Sequence, residues 1–404
     1  MLSQETIATV KSTAPVLEAH GETLTRHFYA RMFTENPEVA PFFNRANQQA
    51  GTQQRALAAA ITAYAAHIDD LEALGGAVEL IAQKHASLMI KPEHYPIVGA
   101  NLLASIREVL GEAATDEIVD AWAEAYGFLA DILIAREAQI YADTAAVPGG
   151  WEGFRPFTVA RKVPESANIT SFYLQPADGG ALPEFAPGQY ITVRVPTADG
   201  LTTMRNYSLS DRPGQAHLRI SVKREEGAPD GYVSTHLHDS VGEGDQIEVG
   251  PPCGEFVLKN PEGDSPLVLM AGGVGITPLM SMMLSALKAQ PDREIVFLHA
   301  VRNPEVQAFA PEIAALAARH DGLKVVFQYS EAMPATLPGA VEMGKGFVND
   351  ALIRRIAPET EADYYFCGPK PFMSDVHQCL AARSLPPERV HFEFFGPKEG
   401  LERL

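Results

Sequence analysis

The stretch Leu267-Val268-Leu269-Met270-Ala271-Gly272-Gly273-Val274-Gly275-Ile276-Thr277-Pro278 decides how the C-terminal half of this chain is read. An unbroken apolar run suits a buried strand, the glycines that follow suit a turn, and a helix is predicted to begin near Pro278. Glycines let a backbone approach a pyrophosphate closely, and a helix N-terminus supplies N–H donors and a favourable dipole for its charge. A tight strand-to-helix turn with no ligand explains the same residues, so the stretch alone leaves both readings open. The wider segment Pro266 to Ala289 is apolar enough to resemble a membrane span, but its glycines and Pro278 interrupt it, and strand, loop and helix is the better reading.

Outward from that stretch the pattern is consistent. Strand-like runs EIVFLHAV (294–301), LKVVFQYS (323–330) and DYYFCGP (363–369) alternate with helical patterns, as in a parallel α/β sheet. Upstream, FTVARKV (157–163), ITSFYLQP (169–176), QYITVRV (189–195), RNYSLSD (205–211), HLRISVKR (217–224) and DQIEVGPP (245–252) are short β-rich runs between turn signals, which suggests a small antiparallel barrel. From residue 2 to 143 apolar residues recur at three and four, with breaks at Pro37, Gly75, Pro92 and Gly111, so an all-α unit is predicted. Ala145-Ala146-Val147-Pro148-Gly149-Gly150 breaks that periodicity as a linker does. The expected division is therefore 1–143 all-α, 144–151 linker, 152–262 barrel and 263–404 parallel α/β.

At 404 residues more than one core is expected, and 46% hydrophobic with 21% charged residues is ordinary globular composition. A net charge of -19 without a Lys/Arg-rich run argues against nucleic acid and anionic membrane surfaces, leaving small molecules as partners. Cys253, Cys367 and Cys379 are too few and too scattered for a disulfide framework or a metal-ligand spacing, and charges and a proline stand where a secretory signal needs an apolar run. A cytoplasmic protein without stable membrane insertion, and a monomer, is expected.

Two more segments bear on the glycine turn. Arg205-Asn206-Tyr207-Ser208-Leu209 offers a guanidinium for a phosphate beside a tyrosine that can flank a flat ring, though a surface turn with a barrel-core tyrosine reads equally well. Cys367-Gly368-Pro369 follows the strand-like run ending at Phe366. Taken in order, RNYS, Gly231-Tyr232-Val233-Ser234, GGVGIT and CGP resemble the ferredoxin-NADP reductase superfamily over about residues 152 to 404. The resemblance implies an FAD-binding barrel followed by an NAD(P)-binding α/β domain. It places Tyr190, Arg205, Asn206, Tyr207 and Ser208 at the flavin or its phosphate, and Ser234 near the pyrophosphate at a helix start. It assigns Gly272, Gly273, Val274, Gly275, Ile276 and Thr277 to the nicotinamide dinucleotide, Cys367 to the hydride-transfer position, and Glu393-Phe394-Phe395-Gly396-Pro397 to an aromatic ring against the isoalloxazine.

In the N-terminal unit, Val78, Ile81, Ala82, His85, Leu88 and Met89 share one helical face. A histidine inside such a stripe is either a hydrogen-bonded core residue or a ligand. A ligand imidazole needs its second nitrogen held by an acceptor, for which Glu137 is a candidate, with Tyr95 able to bind the same carboxylate. Glu137 as a solvated helix charge and Tyr95 as an anchor between helices is the plainer alternative. Gln53, Leu57, Ile61 and Tyr64 follow helical spacing, and Phe28-Tyr29 and Phe42-Phe43 bracket Pro37. A Tyr or Gln facing an apolar cavity can donate to bound dioxygen, and either side chain could equally face solvent.

Phe28-Tyr29, Phe43, Gln53, Leu57, Lys84-His85-Ala86-Ser87, the run 91–99 (KPEHYPIVG) and the run 136–141 (REAQIY) resemble the globin domain of flavohaemoglobins, and with the reductase half the likeness spans essentially the whole chain. It implies haem b with His85 as the iron ligand, Tyr95 and Glu137 behind it, Tyr29 and Gln53 on the distal side beside Leu57 and Phe43, and Lys84 and Glu393 near the contact between haem and flavin sides. The implied activity is nitric oxide dioxygenation, electrons passing from NADH or NADPH through FAD to a haem where dioxygen oxidises nitric oxide to nitrate. A haem or flavin reductase of peroxides or other acceptors, or an oxygen or nitric oxide sensor, are the rival readings. Glu331 would disfavour a 2′-phosphate if it lies by the adenosine ribose, and a lipid in the distal pocket stays open.

Overall fold

The computed structural model describes residues 2–43, 48, 50–70, 75–227, 231–336, 341–357 and 361–396. Two compact units emerge, one holding the residues up to Ala146 with Pro196–Met204, the other Val147–Val195 and Arg205–Gly396.

The first unit is helical: α1 (Gln4–Ser12), α2 (Ala14–Glu35), α3 (Thr52–His67), α4 (Gly75–Ser87), α5 (His94–Leu110) and α6 (Asp116–Ala146). Local chemistry sets the ends. The Ser3 side chain caps α1 by accepting from Thr6 N–H, and α2 stops before Asn36-Pro37, since the residue before a proline leaves the helical region. Two residues past the end of α4, Met89 takes φ 59°, and Ile90 N–H reaches back to the His85 carbonyl at 3.0 Å, so the chain turns sharply after the His85 helix.

The apolar core of this unit falls into two clusters. One gathers Leu24, Phe28, Tyr29, Met32, Tyr64, Leu102 and Trp122; the other gathers Ala82, Ala86, Tyr95, Ala130, Leu133 and Ile140. Tyr126 and Leu129 touch both, and Phe43, Leu57, Ile61, Val98 and Ile81 stay only partly buried at their margins. A core divided in this way, rimmed by half-buried apolar side chains, suits a flat apolar guest.

A barrel follows, made of β1 (Arg155–Pro164), β2 (Ile169–Pro176), β3 (Tyr190–Pro196), β4 (Thr202–Ser208), β5 (Leu218–Lys223) and β6 (Gln246–Val249), in the order β4-β3-β6-β1-β2-β5. A bridge between Leu209 and Ile220 joins the outer strands and closes it. Phe157, Val159, Phe172, Leu174, Ile191, Val193 and Ile220 fill the interior, and α7 (Tyr232–Ser240) packs Val233 and Leu237 onto them.

Six parallel strands follow: β7 (Leu267–Gly272), β8 (Ile295–Val301), β9 (Leu323–Tyr329), β10 (Val341–Lys345), β11 (Asp363–Cys367) and β12 (Val390–Glu393), in the order β10-β9-β8-β7-β11-β12. Successive residues of β7 face opposite sides. Leu267 and Leu269 meet α8 (Ile276–Ala289) and α9 (Ala310–Ala317), while Val268 and Met270 meet α10 (Asp350–Ile356) and α11 (Lys370–Ala381). Strand order reverses between β7 and β11, and such a switch point leaves a crevice beyond the carboxyl ends of the strands.

Fold class agrees with the sequence reading, with corrections in detail. The helix after the glycine stretch starts at Ile276, because Gly273–Gly275 forms a 3₁₀ turn that runs straight into it. Strands β10 and β12 had no counterpart among the expected runs; both are short sheet edges. Pro266 to Ala289 resolves into β7, a turn and α8, and among the described residues no helix is long and apolar enough to cross a membrane.

Candidate functional site

Three of the predicted residues meet at the end of α4. His85 Nδ1 lies 2.8 Å from Glu137 Oε1 and 3.1 Å from the Tyr95 hydroxyl, and Tyr95 donates to that same carboxylate oxygen at 2.5 Å. Glu137 is 2% exposed, so the plainer expectation of a solvated charge does not hold. An oxygen that already accepts from Tyr95 is an acceptor to the imidazole as well, which puts the ring proton on Nδ1 and the lone pair on Nε2. A third of the His85 side chain remains exposed, and among the described residues its polar contacts are at Nδ1. Burial, then the adjacent Glu137 carboxylate, push the Tyr95 phenol far above its ordinary range, keeping it a donor.

Neighbouring contacts fix this group. Arg136 on α6 grips Glu79 on α4 through two bonds of 2.6 and 2.8 Å. Tyr126 inserts into α5: its hydroxyl donates to the Tyr95 carbonyl at 2.7 Å and accepts from Gly99 N–H, standing between two groups an unbroken helix would pair. A Cβ at Gly99 would lie 2.6 Å from the Tyr126 ring, so the glycine admits the wedge. Lys84, next to His85, gives its carbonyl to Ser87 Oγ and Leu88 N–H.

On the other cluster, Tyr29 is buried and accepts a side-chain hydrogen bond from Gln53. Gln53 Oε1 is taken by Gln48 Nε2 at 2.8 Å, which leaves its NH₂ for Tyr29 and leaves the Tyr29 proton for a further acceptor. Burial holds the Tyr29 phenol well above its usual range. The Phe43 ring stands edge-on to Tyr29 at 5.6 Å, and Leu57 packs on the same cluster.

In the barrel, Arg205 and Tyr207 lie two apart on β4, on one face of the strand. Burial pushes the Tyr207 phenol up and the Arg205 guanidinium down, yet both side chains stay only half-buried. Asn206 accepts from Thr192 Oγ1 at 3.0 Å, and Ser208 is buried at the strand end. Tyr190 pairs its backbone with Cys253, and a Cβ on Gly254 would come within 2.7 Å of its ring. Ser234, in the first turn of α7, bonds the Gly231 carbonyl at 2.8 Å and Glu225 N–H at 3.2 Å, fastening the loop before the helix.

At the switch point two loops interlock. A Cβ on Gly275 would lie 2.2 Å from the Cys367 carbonyl, and one on Gly272 would lie 2.8 Å from Phe372 and Pro369. Gly273, at φ 52°, faces open space. Val274 is partly buried; Ile276 and Thr277 are buried, with the Thr277 hydroxyl on the Val274 carbonyl at 3.1 Å, so this turn offers a ligand mainly backbone. Cys367 is fully buried, pairs in register with Glu393, and its thiol is pushed well above its usual range by burial and then by Glu393. Phe394 packs on the sheet, Phe395 is 45% exposed, Gly396 has φ 149°, and Pro397 lies outside the described residues. Glu331, just past β9, accepts from Asn303 at 3.2 Å.

Comparison with known proteins settles the family. The chain is 55% identical to a flavohemoprotein of Rhodopirellula baltica over 99% of both chains, 53% identical to one of Bordetella pertussis over 98% and 99%, and 44% identical to one of Bacillus subtilis over 99% of both. The chain belongs to the flavohemoprotein family. Family models described as "Globin", "Oxidoreductase FAD-binding domain" and "Oxidoreductase NAD-binding domain" match residues 26–133, 156–258 and 269–378. A Malassezia yamatoensis flavohemoglobin crystal structure, described with bound FAD and heme, superposes with a TM-score of 0.82 at 25% identity over 98% of this chain and all of that one. The FAD/NAD-binding domain of a Vibrio cholerae nitric oxide dioxygenase is 35% identical with a TM-score of 0.54, covering 60% of this chain and 99% of that one.

The flavohemoprotein sites contain residues that sequence reasoning passed over. His299, fully inside β8, bonds the Gly273 carbonyl through Nε2 at 3.1 Å and so holds the one open glycine of the turn. Burial pushes this histidine down to about 4, so it is a neutral donor there at neutral pH. Its only sequence signal was a polar residue in an otherwise apolar strand. Tyr126 gave no signal, since nothing in a helical pattern marks a side chain that wedges into another helix. The residues present fit the cofactors: a divided apolar core with a partly exposed imidazole for haem, a half-buried guanidinium and tyrosine on one strand face for FAD, and exposed backbone at a switch point for a dinucleotide.

Proposed function

We propose that the chain is an NAD(P)H-dependent nitric oxide dioxygenase, oxidising nitric oxide to nitrate. The observation that carries this reading is the His85 Nδ1 bond to a buried carboxylate at 2.8 Å. A hydrogen bond to a full acceptor makes an imidazole a stronger donor at Nε2, which favours activation of dioxygen over its simple carriage. The name of the Vibrio cholerae neighbour supports the same activity. Bound haem would supply the centre at which dioxygen is held and reduced, and FAD the relay from hydride to single electrons.

The chain's own residues then divide the work. His85 would hold the haem iron through Nε2, with Glu137 and Tyr95 fixing its tautomer and ring angle. Tyr29, its oxygen engaged by Gln53, keeps a proton for dioxygen. Arg205 and Tyr207 would bind FAD, and Gly273 would admit the dinucleotide. Nitric oxide, dioxygen and one electron make nitrate, so each hydride serves two turnovers. Nitrate formed in proportion to both nitric oxide and NAD(P)H consumed is the expected result. NAD(P)H oxidation without nitrate would make the chain a reductase of another acceptor and end this reading.

Tyr29→Phe removes one donor in a buried setting, a loss of about 1–3 kcal/mol, or about five- to a hundredfold in dioxygen release. Flash photolysis that finds release unchanged would remove Tyr29 from the site.

A further inference from the structure

We propose that Arg219 and Glu312 form an ionic pin that fixes the flavin-binding barrel against the nicotinamide-binding sheet, making Arg219 a positioning residue for hydride transfer. This rests on the FAD and NAD assignments and not on the nitric oxide chemistry.

Arg219 projects from β5 with only 4% of its side chain exposed. Its Nη1 donates to Glu312 Oε2 at 3.1 Å, in the first turn of α9, and its Nη2 donates to the Ser210 carbonyl of the barrel itself. The guanidinium lies 5.0 Å from the Phe309 ring centre and 6.0 Å from that of Tyr173. Phe309, the residue before α9, has φ 61°, a left-handed conformation that an aromatic residue keeps only where its surroundings impose it. Beside the pin, Ala167 N–H in the β1–β2 turn donates to the Glu305 carbonyl at 2.8 Å.

Ile169 of β2 also packs into the core of the sheet on this side, and further contacts lie at the covalent crossover. Lys259 N–H reaches the Tyr365 hydroxyl at 3.2 Å, and Met282 Cε closes on Gly188, where a Cβ would lie 2.5 Å from it. A joint held at the crossover alone could hinge. Strand β5 stands three places from β6 in either direction around the closed barrel, so the Arg219 contact, beside those of Ala167 and Ile169, ties the barrel to the sheet away from the crossover, and it is the charged one among them. Hydride donor and acceptor must come within about 3–3.5 Å, and about 1 Å of misplacement can cost about a hundredfold in rate. The pin would set that distance from outside the residues assigned to either cofactor. Glu312 keeps 37% of its side chain exposed, so neutralising it leaves no buried orphan of its own, whereas truncating Arg219 empties a buried site.

The test is anaerobic stopped-flow reduction of FAD by NADH in the full chain carrying Arg219→Met, Arg219→Lys, Glu312→Gln or the Met/Gln pair. Arg219→Met and Glu312→Gln are expected to lower the limiting rate about ten- to a hundredfold, with FAD content and half-saturating NADH within about twofold of the parent. The double variant should be no slower than the slower single, because one contact is being removed twice, and Arg219→Lys should recover part of the rate. Limiting rates within about twofold of the parent, a loss confined to NADH half-saturation, or additive singles would each overturn the pin. Should Arg219→Met fail to retain FAD, Glu312→Gln decides, since an unaltered rate there is enough to reject the proposal. This half-reaction needs neither haem nor nitric oxide, so a failed nitrate assay and a failed pin are separate results.

Discussion

His85→Ala is expected to purify with FAD at the parent's ratio, to be reduced by NADH at the parent's rate, and to lack haem. The side chains clustered around it are mainly apolar, and Tyr29 and Gln53 are engaged with each other, so the imidazole is the group suited to bind the iron. Removing the imidazole also takes the Nδ1 donor from Glu137, a group 2% exposed that keeps Tyr95 as its remaining side-chain donor. Leaving a buried acceptor short of a donor costs about 1–3 kcal/mol, so the helical unit should melt earlier while the flavin unit does not. Free imidazole in the buffer should restore part of the haem absorbance, because it fits the space and can donate to the same carboxylate. An unchanged haem absorption band in the variant would remove His85 as the ligand.

The fold was legible where a pattern is local. Helical spacing, the Pro37, Gly75 and Gly111 breaks, and the strand-like runs are each decided by neighbouring residues, and they give the order of elements. What stayed hidden depends on distant partners. Strands β10 and β12 are short edges whose pairing comes from β9 and β11, and the alternation in VEMGK and VHFE runs over too few residues to mark a strand by itself. The grouping of His85, Tyr95 and Glu137 needed a resemblance as well as periodicity, because residues 10 and 52 apart meet only through the crossing of α4, α5 and α6. Tyr126, His299 and Arg219 act through contacts of the same long-range kind with no motif to announce them. Their positions follow from packing, which a single sequence does not display.

The glycine turn itself separates into two kinds of residue, and substitution should tell them apart. Gly275→Ala would set a methyl 2.2 Å from the Cys367 carbonyl and 2.7 Å from Gly368 N, and both neighbours are backbone. Neither can rotate away, so the β11 loop must move, at about 1–3 kcal/mol or more for forced overpacking. Gly273→Ala meets no atom within 4 Å, and its cost is the left-handed φ of 52°, about 1–2 kcal/mol. Its methyl, however, stands in the open face at the switch point, where a dinucleotide needs the backbone bare. Gly275→Ala should therefore lower the flavin-fluorescence melting temperature most and abolish flavin reduction by NADH through loss of the loop. Gly273→Ala should melt nearly as the parent while half-saturating NADH rises about tenfold or more, the equivalent of about 1.4 kcal/mol of lost binding. Equal melting temperatures and equal NADH dependence in the two variants would mean that the crevice beside Gly273 is not where the dinucleotide lies. The resulting split between melting and half-saturation distinguishes a glycine that the protein's own packing requires from one that a ligand requires.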